Sequence, residues 1–199
     1  MPRYTKILNT KAMNKISKDS TVRQQVYRKS KRIFDLRKQK MLEDFKNHPV
    51  TREIEDGPEA SNISNTIFGK GNLYSFIGFR DGERPADRVY SLLDAGTKLS
   101  AIKPRVQKVG NRLYMGFRVK VPSEGELARV SRMPWEPGSW LFKIERGISG
   151  LGYYIYEKYI KSSRSGTGAQ AGGKVRPGSY KATKYMSAIL RTFKRNFKK

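Results

Sequence analysis

The sequence predicts an α+β chain: a small antiparallel sheet packed by a long helix of the N-terminal region and by a C-terminal helix, with basic extended arms. Three observations predict it. Apolar residues at helical spacing run through residues 21–46, and again near the C-terminus. Strict apolar/polar alternation runs through Arg112–Val121. Basic residues gather at both ends, leaving a nearly balanced middle.

The elements follow in order. Residues 1–19 are basic with weak periodicity and read as an extended arm with one helical turn at most. Asp19, Ser20 or Thr21 can cap the helix that follows. Val22, Val26, Ile33, Met41 and Phe45, with Phe34 and Leu42 beside them, form one apolar stripe over residues 21–46. Arg23, Lys29, Lys31, Lys38 and Lys40 lie opposite. Pro49 disfavours helical geometry at His48, so the helix should end there. Residues 48–71 read as a long loop, with two prolines and a run of small polar residues.

Asn72–Phe79 reads as a strand, and Asp81-Gly82 as a turn. Arg84 to Leu93 reads as a short helix with Pro85 in its first turn and Gly96 at its close. Lys98–Val109 and Arg112–Val121 form a hairpin about Gly110-Asn111. A short helix is expected over Glu124–Val130, and strands over Trp140–Glu145 and Tyr153–Tyr159. Ser162–Gly178 is rich in Gly, Ser and Lys and reads as flexible. The last helix carries Tyr185, Met186, Ile189, Phe193 and Phe197 on one stripe, with Lys194 and Arg195 beside it. The expected organisation is a basic arm (1–19), an α+β core (20–161), and a linker with a basic amphipathic helix (162–199).

Charge narrows the function. The chain has 199 residues and a formal net charge of +25. Residues 1–46 hold 14 basic and 4 acidic residues; residues 158–199 hold 12 basic residues and no acid. Such ends lie on a polyanion or inside a large assembly. There is no cysteine, which excludes a disulfide framework, thiol catalysis and a cysteine zinc site. Neither a signal-peptide h-region nor a run of about 18 apolar residues appears, so a soluble chain made in cytoplasm, with no membrane partner, is expected.

Catalytic patterns are weak. His48 is the single histidine and precedes a proline at a helix end, a capping or surface position. Glu53, Glu55, Asp56 and Glu59 cluster, but not in a calcium-loop pattern; neutralising a neighbouring basic surface is the plainer use. Gly69-Lys70-Gly71 does not fit the phosphate-loop frame. No enzyme and no cofactor are expected. Basic residues interleaved with aromatics are a nucleic-acid pattern, although most of these aromatics fall on the apolar stripes.

The order of a basic helix, Pro49-Val50-Thr51, a small-polar loop, a Gly-rich turn at Gly69-Lys70-Gly71 and an aromatic run to Phe79 resembles the neck proteins of tailed bacteriophages, the head–tail joining, tail-completion and tail-terminator-like family. Trp135–Gly147 is similar to that family's aromatic segment ending in Glu-x-Gly. Gly172-Gly173-Lys174-Val175-Arg176-Pro177 is similar to the element before its last helix. The resemblance implies a structural virion protein at the neck, a homo-oligomeric ring of six or twelve copies. Its partners would be other neck, portal and tail proteins, with DNA in the channel as a further contact. Glu53, Glu55, Asp56, Glu59, Trp135, Trp140, Tyr153 and Tyr154 are then candidates for contacts between subunits. Arg23, Lys29, Lys31, Lys38, Lys194 and Arg195 are candidates to face a polyanion. A ribosomal protein, a non-specific DNA-binding protein and a nucleic-acid enzyme are the alternatives.

Overall fold

Asp19 starts the long helix. Its carboxylate accepts the backbone amides of Thr21 (2.8 Å) and Val22 (3.1 Å), which have no partner inside a first turn. A helical turn at residues 14–18 precedes it. The computed structural model describes residues 14–67, 71–100, 105–109, 112–134, 137–147, 153–156, 168–171 and 182–197. The first thirteen residues of the basic arm, the Gly110-Asn111 turn and most of 157–181 therefore lie outside the described residues. So does the Gly172–Pro177 element.

The chain is α+β, with helices predominating. In chain order the helices are α1 (Ser20–Lys46), α2 (Pro49–Glu55), α3 (Leu73–Ile77), α4 (Pro85–Gly96), α5 (Glu124–Val130), α6 (Trp140–Arg146) and α7 (Met186–Arg195). The strands are β1 (Lys98–Leu99), β2 (Arg105–Val109), β3 (Arg112–Gly116), β4 (Val119–Lys120), β5 (Tyr153–Tyr156) and β6 (Gly168–Ala171). They pair antiparallel as β1–β4, β2–β3 and β5–β6.

Two compact units divide the chain. The first takes residues up to Gln39 and Gly96–Val121. Here the expected hairpin forms, with Val109 opposite Arg112 and Lys98 opposite Lys120. Exposure alternates from Tyr114 to Lys120 as the sequence pattern requires, although no residue there is fully buried. Phe117 on the inward side meets Tyr27 of α1 edge-on, ring centroids 5.3 Å apart. Phe34 on the predicted stripe is buried, but Ile33 is exposed. Residues 33 and 34 are 100° apart on a helix, and here the buried face takes Phe34.

The second unit takes Lys40–Ala95 and Pro122–Lys199 and is built mainly of helices. Met41, Leu42 and Phe45 continue the α1 stripe into its core. Burying one such side chain contributes about 1.5–3 kcal/mol. Phe45 stacks on Tyr185 at 5.9 Å. Tyr74, Phe79 and Trp140 form a ladder, with centroids 5.4 and 6.0 Å apart. The α5 helix starts on a capping box: Glu126 Oε2 accepts the Ser123 amide at 2.7 Å, and Ser123 Oγ accepts the Glu126 amide at 3.3 Å.

Three expectations are corrected. Asn72–Phe79 is not a strand: Asn72 Oδ1 caps α3 by accepting the Ser75 amide at 2.9 Å, and Gly78 ends it at φ 84°. Trp140–Glu145 is likewise helical, capped by Ser139 and ended by Gly147 at φ 84°. In both, aromatic residues that suggested a strand sit in a short helix instead, with Tyr74 and Phe76 buried in α3 and Trp140 buried in α6. Gly168–Ala171, inside the segment read as flexible, pairs with β5. The C-terminal helix α7 packs on α6. Of the two units, the first groups the hairpin with the N-terminal part of α1.

Candidate functional site

Two side chains tie together the described residues between His48 and Phe79; residues 68–70, with most of the expected Gly69-Lys70-Gly71 turn, lie outside them. Pro49 stops α1, and His48 caps α2, its Nδ1 accepting the Val50 amide at 3.3 Å. The expected capping role for this histidine is what the structure shows. Glu53 then points into the unit with 0% exposure. Its Oε1 accepts Asn62 Nδ2 (2.8 Å) and the Leu73 amide (2.7 Å); its Oε2 accepts the Ser64 amide (2.9 Å). Asn72 adds a second tie, donating to the Pro58 carbonyl at 2.7 Å. A buried carboxylate is costly unless its lone pairs are filled, and here three donors fill them. The apparent long loop is thus α2, a 3-10 turn at Gly57–Glu59 and a stapled connection.

A second node joins His48, Tyr185 and Glu145. The His48 ring lies 4.6 Å from that of Tyr185, and a hydrogen bond joins the imidazole to the Lys184 backbone. Burial holds the imidazole below its ordinary value; the Lys184 bond and the Glu145 charge oppose that shift. The Tyr185 hydroxyl pairs with Thr51 Oγ1, and burial pushes the phenol far above its usual range. Tyr185 does not cap α7 with its own side chain. Glu145 of α6 does so instead, accepting the amides of Ser187 (2.6 Å) and Tyr185 (3.3 Å).

The candidate subunit contacts separate into two groups. Glu53 and Trp140, expected at a subunit surface, are sealed inside the chain: one satisfies buried amides, the other fills the core. Asp56 and Glu59 are exposed and Glu55 is half-buried, at the end of α2 and on the turn after it. Burial and the neighbouring Asp87 push the Glu55 carboxyl up. Trp135 lies outside the described residues, as do the side chains of Tyr153 and Tyr154, whose backbones form β5.

Of the candidate cations, Lys29, Lys31, Lys194 and Arg195 are exposed, and Arg23 and Lys38 half-buried. Arg23 Nε donates to the Ser17 carbonyl at 2.6 Å. Lys31 pairs with Asp35 at 2.6 Å on the same helix face. The α1 sequence holds nine basic and three acidic residues. At 1.5 Å per residue it is a rod about 40 Å long. Lys194 and Arg195 sit in the last turn of α7, where cations complement the helix dipole.

Sequence reasoning missed Glu145 and Asn72 as structural ties. The signal for Asn72 was present: an Asn before, and a Gly after, the mostly apolar run Leu73–Ile77 is cap chemistry at both ends of a short helix. Glu145 left no such local trace, because the helix it caps begins more than forty residues later. Among the described residues no cluster of three or more His, Cys, Asp or Glu could hold a metal ion, and no helix is long and apolar enough to cross a membrane. Comparison with protein-family models, curated proteins and solved structures finds no match to this chain.

Proposed function

We propose that this chain is a structural protein of a tailed-phage neck, a ring component that joins the portal region to the tail around the DNA channel. The order of motifs from the basic helix to the Arg-Pro element supports the family reading. One structural observation carries the functional one: the division of ionisable groups. Glu53, Glu145 and His48 are each committed to backbone amides of the chain's own helices. Among the described residues the exposed ionic surface is richer in Lys and Arg than in Asp and Glu, with Asp56 and Glu59 among the exposed acids. Internal groups that hold backbone and external groups that attract polyanions or acidic neighbours suit an assembly component better than a reaction centre.

The first test is stoichiometric. Native particles from the source are fractionated and copies of the chain per particle counted by quantitative mass spectrometry. Six or twelve copies in DNA-filled particles is the expected result. One copy per ribosomal subunit, or a chain found only free or on DNA, overturns the reading. A second test reverses Glu55, Asp56 and Glu59 to Lys while leaving the buried Glu53 alone. Impaired ring formation by a normally folded variant is expected; normal rings remove the acidic surface from the assembly contact.

A further inference from the structure

Within the second unit, a cavity of about 350 Å3 is lined by Phe79, Arg80, Glu83, Arg88, Arg132 and Trp140, among others. It shares the Arg132–Pro134 wall with an open groove of about 720 Å3 that runs along Arg129 and Ser139. The floor is apolar and sealed: Phe79 is 2% and Trp140 1% exposed. Arg80, Arg88 and Arg132 are exposed on the rim. Among the described residues, no carboxylate forms an ion pair with any of these three.

The backbone beneath the arginines is fixed. The Tyr74 hydroxyl donates to the carbonyls of Arg80 and Glu83, and the Glu83 amide closes the turn onto the Arg80 carbonyl at 3.0 Å. Arg132 forms a bridge with Ser139, flanked by the Ser131–Ser139 hydroxyl pair at 2.6 Å and by the Trp140 amide on the Ser131 carbonyl at 2.9 Å. Arg88 stands on the first turns of α4. Guanidinium groups on ordered backbone suit carboxylate recognition, because less freedom is lost on binding.

We propose that this groove receives an extended acidic polypeptide segment of a partner protein, with carboxylates on Arg80, Arg88 and Arg132 and a small apolar side chain over Met133. The groove is open, and the three exposed arginines, without an ion-pair partner among the described residues, supply the charge complement. Nucleic acid fits less well. Phe79 and Trp140 pack edge to face and offer no open ring for a base to stack on. Glu83 in the lining repels a continuous run of phosphates, yet can accept peptide N–H groups. The inference rests on the assembly reading only for the source of the segment, a neighbouring virion protein.

The test uses the full chain and fluorescence anisotropy at physiological salt, where long-range attraction is largely screened. The probes are a short labelled peptide of glutamates interspersed with leucine and glycine, its glutamine counterpart, and a labelled single-stranded oligonucleotide. The variant Arg80→Ala/Arg88→Ala/Arg132→Ala is compared with Lys29→Ala/Lys31→Ala/Lys38→Ala, which removes the same charge from α1. We expect the arginine triple to weaken glutamate-peptide binding about tenfold or more and the lysine triple to change it less than about threefold. Equal losses in both triples mean non-specific attraction and overturn the proposal. A loss confined to the oligonucleotide, or equal binding of the glutamine peptide, overturns it too. Circular dichroism confirms folding of both variants. Ring formation, read separately by native mass spectrometry, distinguishes failure of the groove from failure of the neck reading.

Discussion

The carboxylate of Glu53 accepts the backbone amide of Leu73 at 2.7 Å, twenty residues along the chain. That bond ties the end of α2 to the first residue of α3, and the same carboxylate holds Asn62 and Ser64 between them. Glu53→Ala leaves the buried Leu73 amide without this acceptor, at a cost of about 1–3 kcal/mol, and loosens the half-buried Asn62 and Ser64 donors. Glu53→Gln keeps one acceptor oxygen but turns an N–H2 toward donors, so it should also destabilise. Thermal unfolding of both variants checks this; a melting temperature equal to that of the parent contradicts the staple.

Glu55, two residues on, should behave in the opposite way. Burial and Asp87 push its carboxyl up, so the ionised form is less favourable folded than unfolded. Its contribution to stability therefore falls as pH rises from the ordinary carboxyl value through the raised folded one. Removing the charge with Glu55→Gln should leave stability at neutral pH unchanged or higher. A clear loss in chemical denaturation would show that the carboxylate makes a favourable contact outweighing its burial.

His48 gives the fold a pH dependence of its own. The folded imidazole binds its proton less readily than the unfolded one, so acid favours unfolding. The neutral ring's contribution is present above the ordinary value of 6.5 and is lost as pH falls through the depressed folded value. Protonation also removes the Nδ1 lone pair that accepts the Val50 amide. The variant His48→Asn keeps a capping side chain and does not titrate. Melting curves taken from neutral pH to about pH 5 should decline less for the variant than for the parent; parallel declines would refute the assignment.

Much of this architecture was legible in the sequence, where local pattern decides. Asp19 as cap, Pro49 as stop, Pro85 inside a first turn and the alternation after Arg112 all became what their chemistry suggests. The failures share one cause. Leu73–Ile77 and Trp140–Arg146 are single or double turns rich in aromatics, too short to display a helical period, so β propensity misled while the caps told the truth. Glu53 looked like part of an exposed acid cluster because nothing in the order Glu53, Glu55, Asp56 marks which carboxylate turns inward. Only the fold supplies Ser64 and Leu73 as its donors. The groove arginines, drawn from Arg80, Arg88 and Arg132, come together solely through tertiary structure.

Glu145 should act as a cap supplied from another helix. Replacing it with Ala leaves the first amides of α7 unmet, a loss of about 0.5–2 kcal/mol by analogy with ordinary N-caps. Glu145→Gln retains an acceptor and should recover part of that loss, the remainder reflecting charge at the positive helix end. Hydrogen exchange over Ser187–Ile189 is the sensitive readout. Faster exchange in the Ala variant, partly restored in the Gln variant, is expected; protection equal to the parent would mean α7 is held by Met186, Ile189 and Phe193 alone.

If the chain contacts DNA as the neck proposal implies, the basic surface of α1 should govern that binding through charge, with little effect on stability. Lys29, Lys31 and Lys38 contribute to a rod of nine basic residues, and the Lys31–Asp35 pair is exposed. Such pairs are worth about 0.3–0.5 kcal/mol on a helix, so Lys29→Gln/Lys31→Gln/Lys38→Gln should unfold at nearly the parent temperature. If these side chains sit on phosphates, each contact releases counterions, and removing three lowers the slope of log affinity against log salt by up to about 3. Titrating duplex DNA at several salt concentrations gives that slope directly. An unchanged slope, with the melting temperature preserved, would move the DNA contact away from α1 and toward the basic ends of the chain.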